Sequence, residues 1–403
     1  MNAEARKSDK PKFSALIAER ISRYPNDAVA EFVHPASDWI LKISQHLSSN
    51  FPQSFDRIIS KLINVLRSQP PGSNSAIVRG NKEPDWLMEA INAPAGKIAE
   101  ALFNDPRKND LEVGGGFPAD WLLPVNNLLS LNGDLRRHAL VIFAHSMNWF
   151  YAIDPIWTEA NILSVLDKGD ESDRFAIWSG FFWSAKVPNQ KLYMRLKPNL
   201  LAFASKRSLP RRKYGNVLAG IILSGWGSIN EETGERCISD AEMHDVLLHT
   251  DDEFRSHILW QVKRWSETKE NAVGEKWSVM LSELLRDVWP RQKSAKTPKI
   301  SARLCDLAFS NVERFPEIAE IVLPLLTPID SDHLMFPDLR KPKDNIVDLY
   351  PKQTLALLHA VLPDNVAAWP YDIEETLQRI SEADSSLNSD EKLLELKRKW
   401  NAR

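Results

Sequence analysis

The chain has 403 residues, 43% hydrophobic and 26% charged, and its 51 basic and 54 acidic residues leave a net charge of −3. These values exclude wholesale disorder and any global electrostatic bias toward nucleic acid or a membrane. The two cysteines, Cys237 and Cys305, stand far apart, which excludes a disulfide framework or a cysteine metal site and fits reduced thiols in a cytoplasmic protein.

Residues 1–12 are polar and mixed in charge, without the apolar stretch of a secretory signal. Phe13, Leu16, Ile17 and Ile21 then recur at helical spacing and predict one inward-facing stripe. Phe55, Ile58, Ile59, Leu62, Ile63 and Leu66 repeat the pattern. The segment 68–83 is polar and rich in breakers, so it reads as an exposed loop and a domain boundary.

Three Asp-Trp pairs follow prolines, at Asp38-Trp39, Asp85-Trp86 and Asp120-Trp121. An acid in a first helical turn meets the positive end of the helix dipole, and the neighbouring indole anchors that turn in the core. Asn92-Ala93-Pro94 reads as a helix–helix corner, with Gly96 permitting a close approach. Gly114-Gly115-Gly116 precedes a helix, yet no strand comes before it and no Lys-Ser/Thr follows, which favours a tight loop over a phosphate cradle.

The apolar runs 138–153 and 217–229 are too short or too polar for the roughly 20 residues that a bilayer requires. Asp154-Pro155 marks a helix start. Ser239-x-x-Glu242 and Thr250-x-x-Glu253 are capping-box patterns that predict helices over about 240–249 and 251–268. The chain holds 25 prolines, many of them at expected helix starts, so short helices joined by short turns are expected. A basic connection at 292–298, an irregular stretch over 324–351 and a charged terminal helix from 389 complete the pass.

The nine histidines show no metal-ligand spacing, and His138, His145 and the Glu253–His257 pair read as core or surface groups. No nucleophile elbow, dinucleotide fingerprint or kinase motif occurs, so neither catalytic residue, metal nor cofactor is expected. Charge is distributed unevenly. Residues 174–230 contain no acid, whereas 231–253 contain nine acids and one arginine. The dense basic centre, Lys206, Arg207, Arg211, Arg212 and Lys213, could hold a phosphorylated ligand or a nucleic-acid backbone. It could also pair with the acidic segment that follows, or face a protein partner. The neighbouring Phe175–Trp183 helix reads as core rather than as a stacking platform.

The stretch 85–102, Asp-Trp-Leu-Met-Glu-Ala-Ile-Asn-Ala-Pro-Ala-Gly-Lys-Ile-Ala-Glu-Ala-Leu, resembles the helical C-terminal region of bacterial Sir2-like antiphage-defence proteins, and 133–139 fits the same pattern. The resemblance implies a regulatory, sensing or assembly module. The NAD chemistry of such proteins belongs to a Sir2 domain, which has no counterpart among these residues, so no catalytic position carries over.

The fold expected is all-α: an irregular, α-solenoid-like helical-repeat array of antiparallel helix pairs around one continuous, tryptophan-rich core. Its segments are 1–70, 84–290 and 298–403. The function expected is a non-catalytic interaction or sensor module in bacterial defence, with a protein partner or separate effector subunit. The alternative is an anionic-ligand or nucleic-acid binder using 174–230, and an uncharted enzyme ranks below both.

Overall fold

The computed structural model describes residues 3–70, 72, 74–79, 82–205, 209–268, 271–329 and 345–403, with side chains from residue 12 onward apart from 209, 210 and 271. The fold is all-α with antiparallel helix pairs. Among the described residues there is no strand, only one bridge between Ile229 and Arg236. No described helix is long and apolar enough to cross a membrane.

The chain divides into two compact units, 1–192 and 193–403. The 68–83 segment lies within the first unit and the 292–298 connection within the second.

In the first unit, helix Val33–Asn50 packs on helix Pro94–Leu102, and helix Gly133–His145 on helix Glu171–Ser184. The second pair approaches closely because Gly180 has no side chain. A Cβ there would fall well inside contact distance of the Val141 carbonyl oxygen. Gly96 plays the same part beside Ala90, so the corner read from 92–96 forms, with Ala93 extended between helices Trp86–Asn92 and Pro94–Leu102. Phe103, Phe117, Trp121, Phe143, Trp149, Phe150 and Trp157 make an aromatic cluster with centroid distances of 5.0–6.4 Å. Mostly edge-to-face and tilted geometry there suits the ring quadrupoles.

The first helix departs from its sequence reading. Phe13 and Leu16 are 66% and 65% exposed, while Ala15 and Ala18 are buried. Small residues let Ala3–Arg23 lie close against helix Pro52–Arg67, which turns the larger side chains outward.

In the second unit, helix Asp252–Ser266 packs against helices Leu209–Trp226, Asn271–Glu283 and Pro298–Phe309. A satellite core lies at the C-terminal end, where Leu358, Trp369, Ile373, Ile380, Leu393 and Trp400 are buried together. Trp369 donates its indole N–H to the Pro363 carbonyl at 2.6 Å and stacks on Trp400 at 6.2 Å. Helix Glu391–Asn401 contributes Leu393, Leu396 and Trp400, so the charged tail is a packed element.

Candidate functional site

Of the five basic residues picked out in the sequence, Lys206 and Arg207 lie outside the described residues. The other three open helix Leu209–Trp226, which bends at Tyr214, where the backbone leaves helical geometry (φ −123°, ψ 21°). They separate by burial. Arg211 is 7% exposed and is spent internally. It donates to the Ala204 carbonyl at 3.1 Å, forms an ion pair with Asp251 and lies 5.9 Å over the Phe254 ring. Arg212 and Lys213 are exposed.

These residues border a recess of about 460 Å³ between the starts of helices Leu209–Trp226 and Asp252–Ser266. Its other walls are Gly215, Asn216, Asp251, Glu253, Phe254 and His257. The second helix begins one residue later than its capping-box pattern implies. Asp251, and not Thr250, is the N-cap, and its carboxylate accepts from the Phe254 amide at 3.1 Å. Thr250 instead donates to the Leu247 carbonyl at 3.4 Å. Glu253 is thereby released from reciprocal capping and stands exposed at the recess.

His257 is half-buried and sits one turn below Glu253 without a hydrogen bond to it among the described residues. Burial holds its pKa below the ordinary value, reinforced by Lys299 and Arg303 and opposed by Glu253 and Asp251. The imidazole is therefore neutral at pH 7. A Cβ on Gly215 would lie only 3.6 Å from the His257 ring, so glycine leaves that ring edge open.

Part of the basic segment does meet the acidic segment that follows it. Lys197 pairs with Glu242 at 2.8 Å, and Arg211 pairs with Asp251. The recess is mixed in sign, lined by Arg212 and Lys213 and by Asp251 and Glu253.

A second charged constellation, unforeseen from sequence, lies in the first unit. Glu89 is 1% exposed and receives a bidentate contact from Arg79, Nε to Oε1 at 2.7 Å and Nη2 to Oε2 at 2.5 Å. Arg79 also reaches Asp134 at 3.0 Å. Arg137 bonds Asp134, Asp170 and Asp173 at 2.9, 2.6 and 2.8 Å, and Arg136 bonds Asp173 at 2.9 Å. Trp86 lies beneath both Arg79, at 4.7 Å, and Arg137, at 5.6 Å. His138 is fully buried beside this network. Its Nε2 is 3.6 Å from Glu89, within ion-pair distance but beyond hydrogen-bond reach, and neither ring nitrogen makes a hydrogen bond among the described residues. Burial pushes its pKa down, against Asp134 and Glu89, which push it up. A histidine does meet carboxylates from other helices here, but in a sealed interior. A general acid or base must reach the proton it transfers, and His138 is fully buried.

The remaining motifs are structural. The Gly114 and Gly116 amides donate to the Ala152 and Ile153 carbonyls at 2.9 and 3.0 Å, so that loop caps a helix end and its amides are not free to cradle phosphate. Trp178, Phe181 and Phe182 are core, whereas Trp183 is 40% exposed and lies 4.2 Å from the His145 ring. Cys237 and Cys305 are both buried, and burial pushes the Cys305 thiol up to about 12. Among the described residues no group of three or more His, Cys, Asp or Glu side chains is placed to hold a metal ion.

No family model matches the chain. It is similar to the uncharacterized protein y4cA of Sinorhizobium fredii (strain NBRC 101917 / NGR234), at 22% identity over 185 residues. That match spans 45% of this chain and 15% of the relative's length.

Proposed function

We propose that the chain is a non-catalytic helical sensor module that recognises an anionic ligand through the recess at Arg212, Lys213 and His257. The observation that carries this reading is the burial pattern. Two cations, Arg212 and Lys213, stand exposed at an open recess, whereas Arg211 beside them is buried. The resemblance of 85–102 to the helical region of Sir2-like defence proteins supports a role in bacterial antiphage defence. In that role a protein partner or separate effector subunit would respond to the ligand.

The test is binding of AMP and of a short single-stranded oligonucleotide at low and high salt. A contact dominated by phosphate weakens as salt rises. The double variant Arg212→Glu/Lys213→Glu should lose binding of whichever probe the wild type holds, with its helix content unchanged by circular dichroism. Equal affinity in wild type and variant would remove the recess from the function. Arg211 is unsuited to this experiment, because reversing its charge would break a buried ion pair and test folding instead.

A further inference from the structure

The geometry points to a more specific ligand, and the inference rests on the anionic-ligand reading above. We infer that the recess takes a single small molecule that carries a phosphate monoester on a hydroxyl-bearing skeleton, a nucleotide or sugar phosphate, in preference to a nucleic-acid strand.

Three features lead there. The first is the arrangement of charge. Arg212 and Lys213, on helix Leu209–Trp226, supply cations, and Glu253, on helix Asp252–Ser266, supplies an exposed carboxylate. An ionised carboxylate only accepts hydrogen bonds, so it suits hydroxyl groups and repels phosphate. A strand carries a negative charge at every nucleotide and would have to run one of them past Glu253. A monoester can direct its dianion at Arg212 and Lys213 and its neutral hydroxyls at Glu253.

The second feature is that Glu253 has no structural task to occupy it. Asp251 has taken the capping role, bonding the Phe254 amide at 3.1 Å, and Glu253 makes no hydrogen bond among the described residues. An acid at the third position of a capping-box pattern ordinarily reaches back to the N-cap amide. Displacing the cap by one residue leaves this acid aimed at solvent beside the recess.

The third feature is size. A recess of about 460 Å³ lies within the range of small-molecule sites, roughly 300–1,000 Å³. Gly215 keeps one wall thin, so the neutral His257 ring remains reachable as a donor or acceptor for a polar ligand group.

The experiment is calorimetric titration of the full chain with ribose 5-phosphate, AMP, inorganic phosphate and a twelve-nucleotide single strand. Ribose 5-phosphate or AMP should bind more tightly than inorganic phosphate. Arg212→Ala should weaken both organic phosphates by about tenfold or more, the scale of one lost charged hydrogen bond. Glu253→Gln should weaken the same two by a similar factor and leave inorganic phosphate unchanged. Both residues are exposed, so folded variants are expected. AMP binding more tightly than ribose 5-phosphate would identify a nucleotide, and equal binding would identify a sugar phosphate. If the single strand binds and the two small esters do not, the inference is overturned while the anionic-ligand reading stands. If no probe binds at low salt, both fail.

Discussion

Glu89 shows how a single residue escapes a reading based on periodicity. The sequence places it one turn after Asp85-Trp86, on a helix start that was correctly legible from the acid, the proline before it and the indole. Spacing reveals a helix face but not what opposes it. Its partner Arg79 arrives from the 68–83 loop and is shared with Asp134 of helix Gly133–His145. Removing one member of a buried ion pair leaves an uncompensated charge, which typically costs about 3–5 kcal/mol. Glu89→Ala should therefore destabilise the protein in urea denaturation by up to about that much, with Arg79 left to Asp134 alone, and should be partly rescued by Arg79→Met in a double-mutant cycle. Arg211 carries the same lesson in reverse. Its sequence neighbours make it part of a basic cluster, but its side chain is buried and occupied by Asp251.

Individual helices were legible where their signals were local. Ser239 forms the capping box that its spacing implies, accepting from the Glu242 amide while Glu242 returns to the Ser239 amide at 2.8 Å. Thr250-x-x-Glu253 has the same pattern and fails, because the next residue, Asp251, is a strong cap whose carboxylate also meets buried Arg211. Ser239→Ala should thus cost about 1 kcal/mol in chemical denaturation. Thr250→Ala should cost less than Asp251→Ala, which loses the cap and leaves Arg211 unpaired. The Asp-Trp echo divides likewise. Asp85 caps its helix and Asp120 lies in a first turn, but Asp38 sits inside helix Val33–Asn50, where it pairs with Lys97 at 2.6 Å. The amphipathic stripe of the first helix misled because alanines can pack more closely than phenylalanine or leucine. At the other end, Trp400 anchors the last helix in the satellite core, and Trp400→Ala should destabilise by about 3–5 kcal/mol. A smaller loss would mean that this helix is peripheral to the cooperative unit.

Across the molecule, the all-helical class was readable because proline starts, caps and helical spacing agree with one another. The division at 192/193 depends on which helices meet and not on loop composition. The recess was half readable. The cations announced themselves by density, whereas Glu253, Gly215 and His257 matter only through tertiary placement. One property is distributed over both units. His34, His138, His145 and His257 are each held below the ordinary histidine pKa, with burial the leading cause. A histidine depressed in the folded state contributes its full stability above its unfolded pKa of about 6.5 and loses it as pH falls below that value toward the folded pKa. The urea midpoint should therefore drop between pH 7.5 and pH 5.5. His138→Leu should narrow that drop without weakening the protein at pH 7.5, because the imidazole gives up no hydrogen bond there.

The two sequestered sulfurs give the second unit a built-in chronometer. Cys305 is withheld from reaction both by its inaccessibility and by the scarcity of its thiolate, and Cys237 is enclosed as well. A maleimide added to the native protein should modify neither until the surrounding helices part. The rate of adduct formation, followed by mass spectrometry, then times the spontaneous opening of residues 193–403 with no probe engineered into the chain.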